Sequence, residues 1–259
     1  MSDAPDYAFP HSDEDESRRL QLLEQRLDPL TQRRIQRLGV GSGARCLEIG
    51  GGRGSVTRWL SDVVGPTGRV IATDLQLGFL TEIAAPNVEV LRHDIRTDAF
   101  PPGSFDLIHT RAVLMHISPS LDLLRRMVTW LAPGGWLVLE EPDFGMWMGD
   151  ADPVWATAPG TTKIAFPSMA LSQGRSLLRQ IHQLGLTDVG ADAEIDIIQA
   201  GTDLAEFYQL SQAALAHPKV QAAALSLTQA KALVDRLGDD DFLACGFVHI
   251  GVWGQRPAM

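Results

Sequence analysis

From Arg45 to Glu141 the chain alternates between two rhythms. The runs "RCLEIG" (45–50), "RVIATD" (69–74), "VEVLR" (88–92), "FDLIHT" (105–110) and "GWLVLEE" (135–141) are short and rich in Val, Ile, Leu and Phe, which predicts five strands. Between the first two, Val56, Trp59, Leu60, Val63 and Val64 recur at i, i+3, i+4, i+7 and i+8. That spacing lines one face of a helix, and Gly65-Pro66 stops it. Leu121, Leu124, Met127, Val128 and Leu131 repeat the pattern before the fifth strand, with "APGG" as the stop. Strands alternating with amphipathic helices predict βαβ units and a parallel sheet.

Two regions fall outside this repeat. At the N-terminus, "DESRRLQLLEQRLDP" and "LTQRRIQRLGV" predict two helices broken at Asp28-Pro29, because the residue before a proline is pushed out of the helical region. Toward the C-terminus a helix around 173–184 leads to a strand near 193–198. A helical pair at 203–217 and 220–237, parted near Pro218, precedes a last strand, "DFLACGFVHIGVWG". The expectation is an α/β fold: a Rossmann-like, doubly wound, mostly parallel seven-stranded sheet with N-terminal helices and a helical insertion before the last strand. No internal repeat or low-complexity linker divides it. Residues 1–259 therefore read as a single domain, with a helical cap at 1–40, a cofactor-binding core at 41–150 and an insertion at 203–237.

Composition narrows the function. The 259 residues are 45% hydrophobic, enough for a sizeable core, and carry a formal charge of −10. That balance argues against sequence-independent binding to nucleic acid or to an anionic membrane, both of which need a basic surface. Cys46 and Cys245 lie in apolar runs and read as small buried hydrophobes in a reducing compartment. The acidic start "MSDAPDYAFPHSDEDE" is unlike a signal peptide, and no run approaches a membrane span. A cytoplasmic monomer or homodimer acting on a small molecule is expected.

The most informative stretch is "RCLEIGGGRGSV" (45–56), with four glycines in five positions between a strand and a helix. Glycines there let a backbone approach a ligand closely. A dinucleotide site asks for G-x-G-x-x-G/A, and Gly50, Gly52 and Ser55 match it imperfectly. Glu48, two residues ahead of the loop, also counts against an NAD-dependent oxidoreductase, since a carboxylate repels a pyrophosphate. It suits a ligand that presents an ammonium or sulfonium cation.

The arrangement Glu48-x-Gly50-x-Gly52-x-Gly54 resembles the first motif of class I S-adenosylmethionine-dependent methyltransferases. Asp74, at the end of the second strand, matches the family's acid on the ribose hydroxyls, with Leu75 beside it. Asp94 in "RHDI" matches its acid on the adenine amino group, with Ile95 beside the ring, and "LAPGGWLVLEE" matches its run into the fifth strand. The resemblance covers about residues 45–143. The opening "YAFPHSDEDESRRLQLLEQRLDPLT" is similar to the N-terminal segment of a bacterial, UbiE-like small-molecule branch, in which a tyrosine and a helix close over the cofactor; Tyr7 is the matching residue. The resemblance implies S-adenosylmethionine as cofactor and methyl transfer to a small, apolar or aromatic acceptor, as in natural-product biosynthesis. A protein of this fold that binds the cofactor and catalyses a non-methylating rearrangement, or only binds, is the alternative.

Methyl transfer from a sulfonium needs in-line positioning and exclusion of water more than a fixed catalytic motif. In doubly wound sheets the site lies beyond the carboxyl ends of the strands, here "HTRAVLMH" and "EEPDFGMWMGD". His109 reads as a satisfied core histidine. Arg111 reads either as a contact to the cofactor carboxylate or as a salt bridge to a neighbouring acid. His116 is a candidate base or a helix-packing residue. Glu141 and Asp143 are the remaining catalytic candidates, beside Phe144, Met146, Trp147 and Met148, which would suit a planar or cationic acceptor. Thr110 and Arg111 are a poor start for a metal site, so no metal is expected. In the insertion, Leu204, Phe207, Tyr208 and Leu210 are candidates to line an apolar lid.

Overall fold

The computed structural model describes residues 14–258. Seven strands, β1 (Arg45–Ile49), β2 (Arg69–Asp74), β3 (Val88–Arg92), β4 (Phe105–Arg111), β5 (Leu131–Asp143), β6 (Thr187–Gln199) and β7 (Leu243–Gln255), form one sheet in the order β3-β2-β1-β4-β5-β7-β6. The first five in that order are parallel, and β7 runs antiparallel to both β5 and β6. The helices are α1 (Glu14–Arg37), α2 (Ser55–Val64), α3 (Leu114–Ile117), α4 (Leu121–Trp130), α5 (Gly145–Met148), α6 (Ala158–Ala165), α7 (Gln173–Gln180), α8 (Asp203–Gln221) and α9 (Leu227–Arg236). The expected α/β architecture is thus present, with α8 and α9 between the last two strands.

The central strands are apolar on both faces, as strands covered by helices on both sides must be. Successive side chains point to opposite faces. Leu47, Ile108 and Leu137 enter one cluster with Leu124, Met127 and Leu177 from α4 and α7. Their neighbours Cys46, Leu107 and Val138 enter another with Ile35 of α1 and Val56, Leu60 and Val64 of α2. A third cluster lies beyond β5 and β7, where Phe144, Trp147, Trp155, Tyr208 and Phe242 pack together. Among the described residues no helix is long and apolar enough to cross a membrane.

Three expectations need correction. The N-terminal helices are one: α1 passes through Pro29 without a break. Proline removes one backbone hydrogen bond, and long-range contacts on either side outweigh that loss. Leu22, Leu27, Leu30 and Ile35 are buried, Arg18 pairs with Glu206, Arg26 with Asp196, and Arg34 with Glu140 and Asp192. The second is Pro218, which lies inside α8 rather than between two helices, so that α8 ends at Gln221. Third, α4 stops at Trp130 and β5 begins at Leu131, running through "APGG" beside a register shift against β4. The helix α6, with Pro159 in its first turn, has no forerunner in the sequence reading.

Candidate functional site

The turn after β1 is held in a form that needs glycine. Gly50, Gly52 and Gly54 have φ of 72°, 55° and 84°, a left-handed region that costs other residues about 1–2 kcal/mol. At Gly50 a Cβ would stand 2.1 Å from Val113 Cγ2, whereas at Gly52 it would meet nothing within 4 Å. The amides of Gly50 and Gly51 donate to the Thr73 carbonyl at 2.8 and 3.0 Å, and Gly52 N–H donates to Asp74 Oδ2 at 3.2 Å. The turn is thereby pinned to the end of β2, and its open backbone at Gly52 faces a cavity of about 770 Å³.

That cavity brings together most of the expected cofactor residues: Glu48, Gly50, Gly52, Asp74, Leu75, Asp94, Ile95 and Arg111 all line it. Asp94 is gripped by Arg96 through both carboxylate oxygens, and this bonding holds its carboxyl below the usual range. Tyr7 lies outside the described residues.

Beneath the glycine turn runs a chain of buried charges that joins α1 to the middle of the sheet. His109, fully buried on β4, stands 2.7 Å from Glu48 through Nδ1 and 3.8 Å from Glu140 through Nε2. Burial opposes charging this ring, but the carboxylates on either side prevail and push its pKa up to about 9. Burial likewise opposes the charge on Glu140, yet His109, Arg34 and Arg111 hold it down to about 2. Thr31 Oγ1 donates to Glu140 at 2.6 Å, and Arg111 donates to Thr31 at 3.0 Å and to Asp28 at 2.9 Å. Of the two sequence readings of Arg111, the structure contains the salt bridge, to Asp28.

The catalytic candidates separate. Glu141 is buried and accepts from the amides of Val113, Leu114 and Met115 at 2.8–3.0 Å, which makes it a brace for the start of α3. Burial pushes its carboxyl up to about 7 despite those bonds. Asp143 is not on the cavity wall; it is bound by Arg175 and accepts from Gly145 N–H at 2.9 Å. The side chain thus holds a loop in place instead of facing an acceptor. His116 does line the cavity, where burial and the nearby Arg19 push its pKa down to about 4.

The far end of the cavity is aromatic. Phe144 and Trp147 line it with Phe207 of α8 and Phe247 of β7, and Trp147 is backed by Trp155 at 4.2 Å between ring centres. Met146 and Met148 are exposed. Of the four residues expected in an apolar lid, Phe207 reaches the cavity. Tyr208 turns into the core and donates to Asp196 at 2.7 Å, while Leu204 and Leu210 pack against the same cluster.

Two polar groups at this end escaped the sequence reading. His249 of β7 lines the cavity with its Nε2 2.9 Å from Asp196 of β6. Gln212 of α8 also lines it, and its Oε1 accepts at 2.7 Å from Lys219, whose side chain is fully buried. Among the described residues Lys219 bonds to no carboxylate, and burial pushes its pKa down to about 7. A single polar residue within the apolar run "FVHIGVW" was the one available signal for His249.

Known proteins give an independent view. A family model described as a methyltransferase domain matches residues 21–190. The ubiquinone/menaquinone biosynthesis C-methyltransferase UbiE of Ectopseudomonas mendocina is 36% identical over 115 residues, covering 41% of this chain and 45% of that protein. The chain thus spans less than half the length of this curated relative. Among solved structures, a putative methyltransferase from an antibiotic biosynthesis pathway of Anabaena variabilis has a TM-score of 0.58 at 13% identity, covering 87% of this chain and 96% of that one. The [4+2]-cyclase SpnF has a TM-score of 0.56 at 17% identity, covering 91% and 83%. Haemonchus contortus phosphoethanolamine N-methyltransferase 2, bound to S-adenosylhomocysteine, has 0.56 at 18%, covering 93% and 52%. These likenesses concern the fold. With the family match running from α1 through the glycine turn and into β6, the chain belongs to the class I S-adenosylmethionine-dependent methyltransferases.

Proposed function

We propose that this chain transfers the methyl group of S-adenosylmethionine to a small apolar or aromatic acceptor held beneath α8. One observation carries the reading: a single cavity of about 770 Å³ extends from the glycine turn to the aromatic wall. Its size lies within the range of small-molecule sites, roughly 300–1,000 Å³.

The residues present fit the cofactor. Gly52 offers bare backbone with no atom where a side chain would stand, and the carboxylates of Glu48, Asp74 and Asp94 line the cavity around it. In this reading Glu48 faces the ammonium group, Asp74 accepts from the ribose hydroxyls, and Asp94 accepts from the adenine amino group with Ile95 against the ring. The bound cofactor supplies an electrophilic methyl group on a cationic sulfur. The chain's own tasks are to fix the acceptor in line and to keep water out, for which the walls of Phe144, Trp147, Phe207 and Phe247 are suited. Residues 203–237 serve as the lid and α1 as part of the cap in this scheme.

Calorimetry with S-adenosylmethionine, S-adenosylhomocysteine and NAD tests the assignment. Asp74→Ala should weaken binding of S-adenosylhomocysteine by about 1–3 kcal/mol, the cost of leaving polar partners unpaired. Tight binding of NAD alone would overturn the reading. The likeness in fold to a [4+2]-cyclase motivates one rival: cofactor binding with no methyl transferred to any acceptor would favour a non-methylating role.

A further inference from the structure

One wall of the cavity carries a histidine, His249, whose buried carboxylate partner the cofactor residues do not explain. Asp196 stands where the register between β6 and β7 shifts, between Ile195 and Ile197. Such bulges re-aim a side chain, and here the bulge accompanies a carboxylate 1% exposed beside His249. Tyr208 Oη donates to Asp196 Oδ2 at 2.7 Å and Arg26 Nε to Oδ1 at 2.8 Å. His249 Nε2 is 2.9 Å from Oδ2. Around the ring, β5 presents Pro142 opposite His249, and β6 presents Glu194, which pairs with Arg26 at 3.0 Å. The charged or titratable groups nearby are therefore Asp196, Glu194, Arg26 and Tyr208.

Burial opposes the charge on Asp196, but His249 beside it, then the Tyr208 hydroxyl and the Arg26 guanidinium, hold its carboxyl below the usual range. An ionised carboxylate only accepts hydrogen bonds, so the ring nitrogen facing it carries the proton. In the neutral ring, Nδ1 then bears the lone pair. No described residue bonds to Nδ1, and His249 lines the aromatic end of the cavity.

We infer that His249 is the general base of this site, with Asp196 as its positioning residue, and that the acceptor is an aromatic molecule methylated on a weakly acidic, phenol-like hydroxyl. The inference rests on the proposed methyl transfer and names its substrate class. A hydroxyl oxygen that gains a methyl group must shed its proton. Its lone pair forms the new O–C bond, the C–S bond breaks with its electron pair left on sulfur, and the hydroxyl proton passes to His249 Nδ1. The imidazolium so formed is balanced by Asp196, and water later removes the proton. An acceptor without an acidic proton would gain nothing from this arrangement.

Two measurements test it. Nitrogen NMR of the unliganded protein should find the neutral His249 ring protonated at Nε2, and Asp196→Asn should move that proton to Nδ1. Methyl transfer to unsubstituted phenol and to a nitrophenol, already largely ionised at mildly alkaline pH, supplies the second. His249→Gln should lower kcat on phenol by about 10²- to 10⁴-fold and lower it far less on the nitrophenol, with KM for the cofactor and the affinity for S-adenosylhomocysteine unchanged. A wild-type ring protonated at Nδ1, or equal losses on both phenols, would overturn the role of His249. Methylation of amines with neither phenol accepted would overturn the acceptor class. Failure of the wild-type protein to bind S-adenosylhomocysteine would instead remove the methyltransferase reading, leaving the NMR result to judge the pair.

Discussion

Replacing His109 with glutamine should change how stability depends on pH. In the native protein this ring is buried between Glu48 and Glu140, and its pKa rises from 6.5 to about 9. A group raised in the folded state stabilises fully below its unfolded pKa, and that contribution is lost as pH climbs through the folded value. At about 1.4 kcal/mol per pH unit, His109 contributes about 2–3 kcal/mol near pH 7 and almost nothing by about pH 10. The raw stability curve of the wild-type protein would hide this, because Lys219 works in the opposite sense. Its pKa falls from 10.5 to about 7 on folding, so stability is gained as pH rises between those values. The difference between wild type and His109→Gln cancels the lysine. Urea unfolding of both proteins in steps from about pH 7 to 10 should show a gap that narrows by about 2–3 kcal/mol. The variant also leaves the buried Glu48 without its ion-pair partner, while Glu140 keeps Arg34 and Thr31, which adds an offset on the order of 3 kcal/mol without removing the trend. A gap that stays constant within about 0.5 kcal/mol across that range would refute the assignment of a charged ring to this position.

Other consequences are open to measurement. Gly50→Ala should destabilise the fold by about 2 kcal/mol or more, since it combines left-handed strain with a Cβ 2.1 Å from Val113; a melting temperature within error of wild type would contradict the described turn. Gly52→Ala has open space and should cost only the backbone term of about 1–2 kcal/mol; because Gly52 lines the cavity, calorimetry should also find weaker S-adenosylhomocysteine binding. The stability difference between wild type and Lys219→Met should shift in favour of wild type as pH rises from about 7 to 10, read by urea unfolding of both proteins; a difference that stays flat would refute the buried, uncharged amine.

What the sequence made legible was local. The strands around the glycine turn declare themselves because each is apolar on both faces, and the turn needs glycines at fixed places for reasons contained within a few residues. Glu48, Asp74 and Asp94 are singled out by the resemblance of their motifs to the family's, and all three line the cavity. The misread points depend on distant partners. Pro29 and Pro218 carry local signals for a break, and only the contacts of α1 and α8 with the rest of the molecule explain why neither helix yields. Glu141 and Asp143 have the chemistry of catalytic acids; Glu141 lines the cavity while bonding the amides at the start of α3, and Asp143, off the cavity wall, is bound by Arg175. The pairing of His249 with Asp196, 53 residues away, depends on the register of two antiparallel strands and on a bulge in one of them. No periodicity in either strand announces it.

The glycine turn belongs to the middle of the sheet, whereas much of the aromatic wall hangs from its far margin through β7 and α8. In the proposed reading, donor and guest are therefore gripped by parts of the chain that answer to different constraints. Residues such as Phe207, Gln212 and Phe247 can be exchanged to reshape the guest's chamber while the grip on the donor stays as it is. A framework divided in this way can acquire new guests through a few changes in one stretch, without renegotiating the chemistry of transfer.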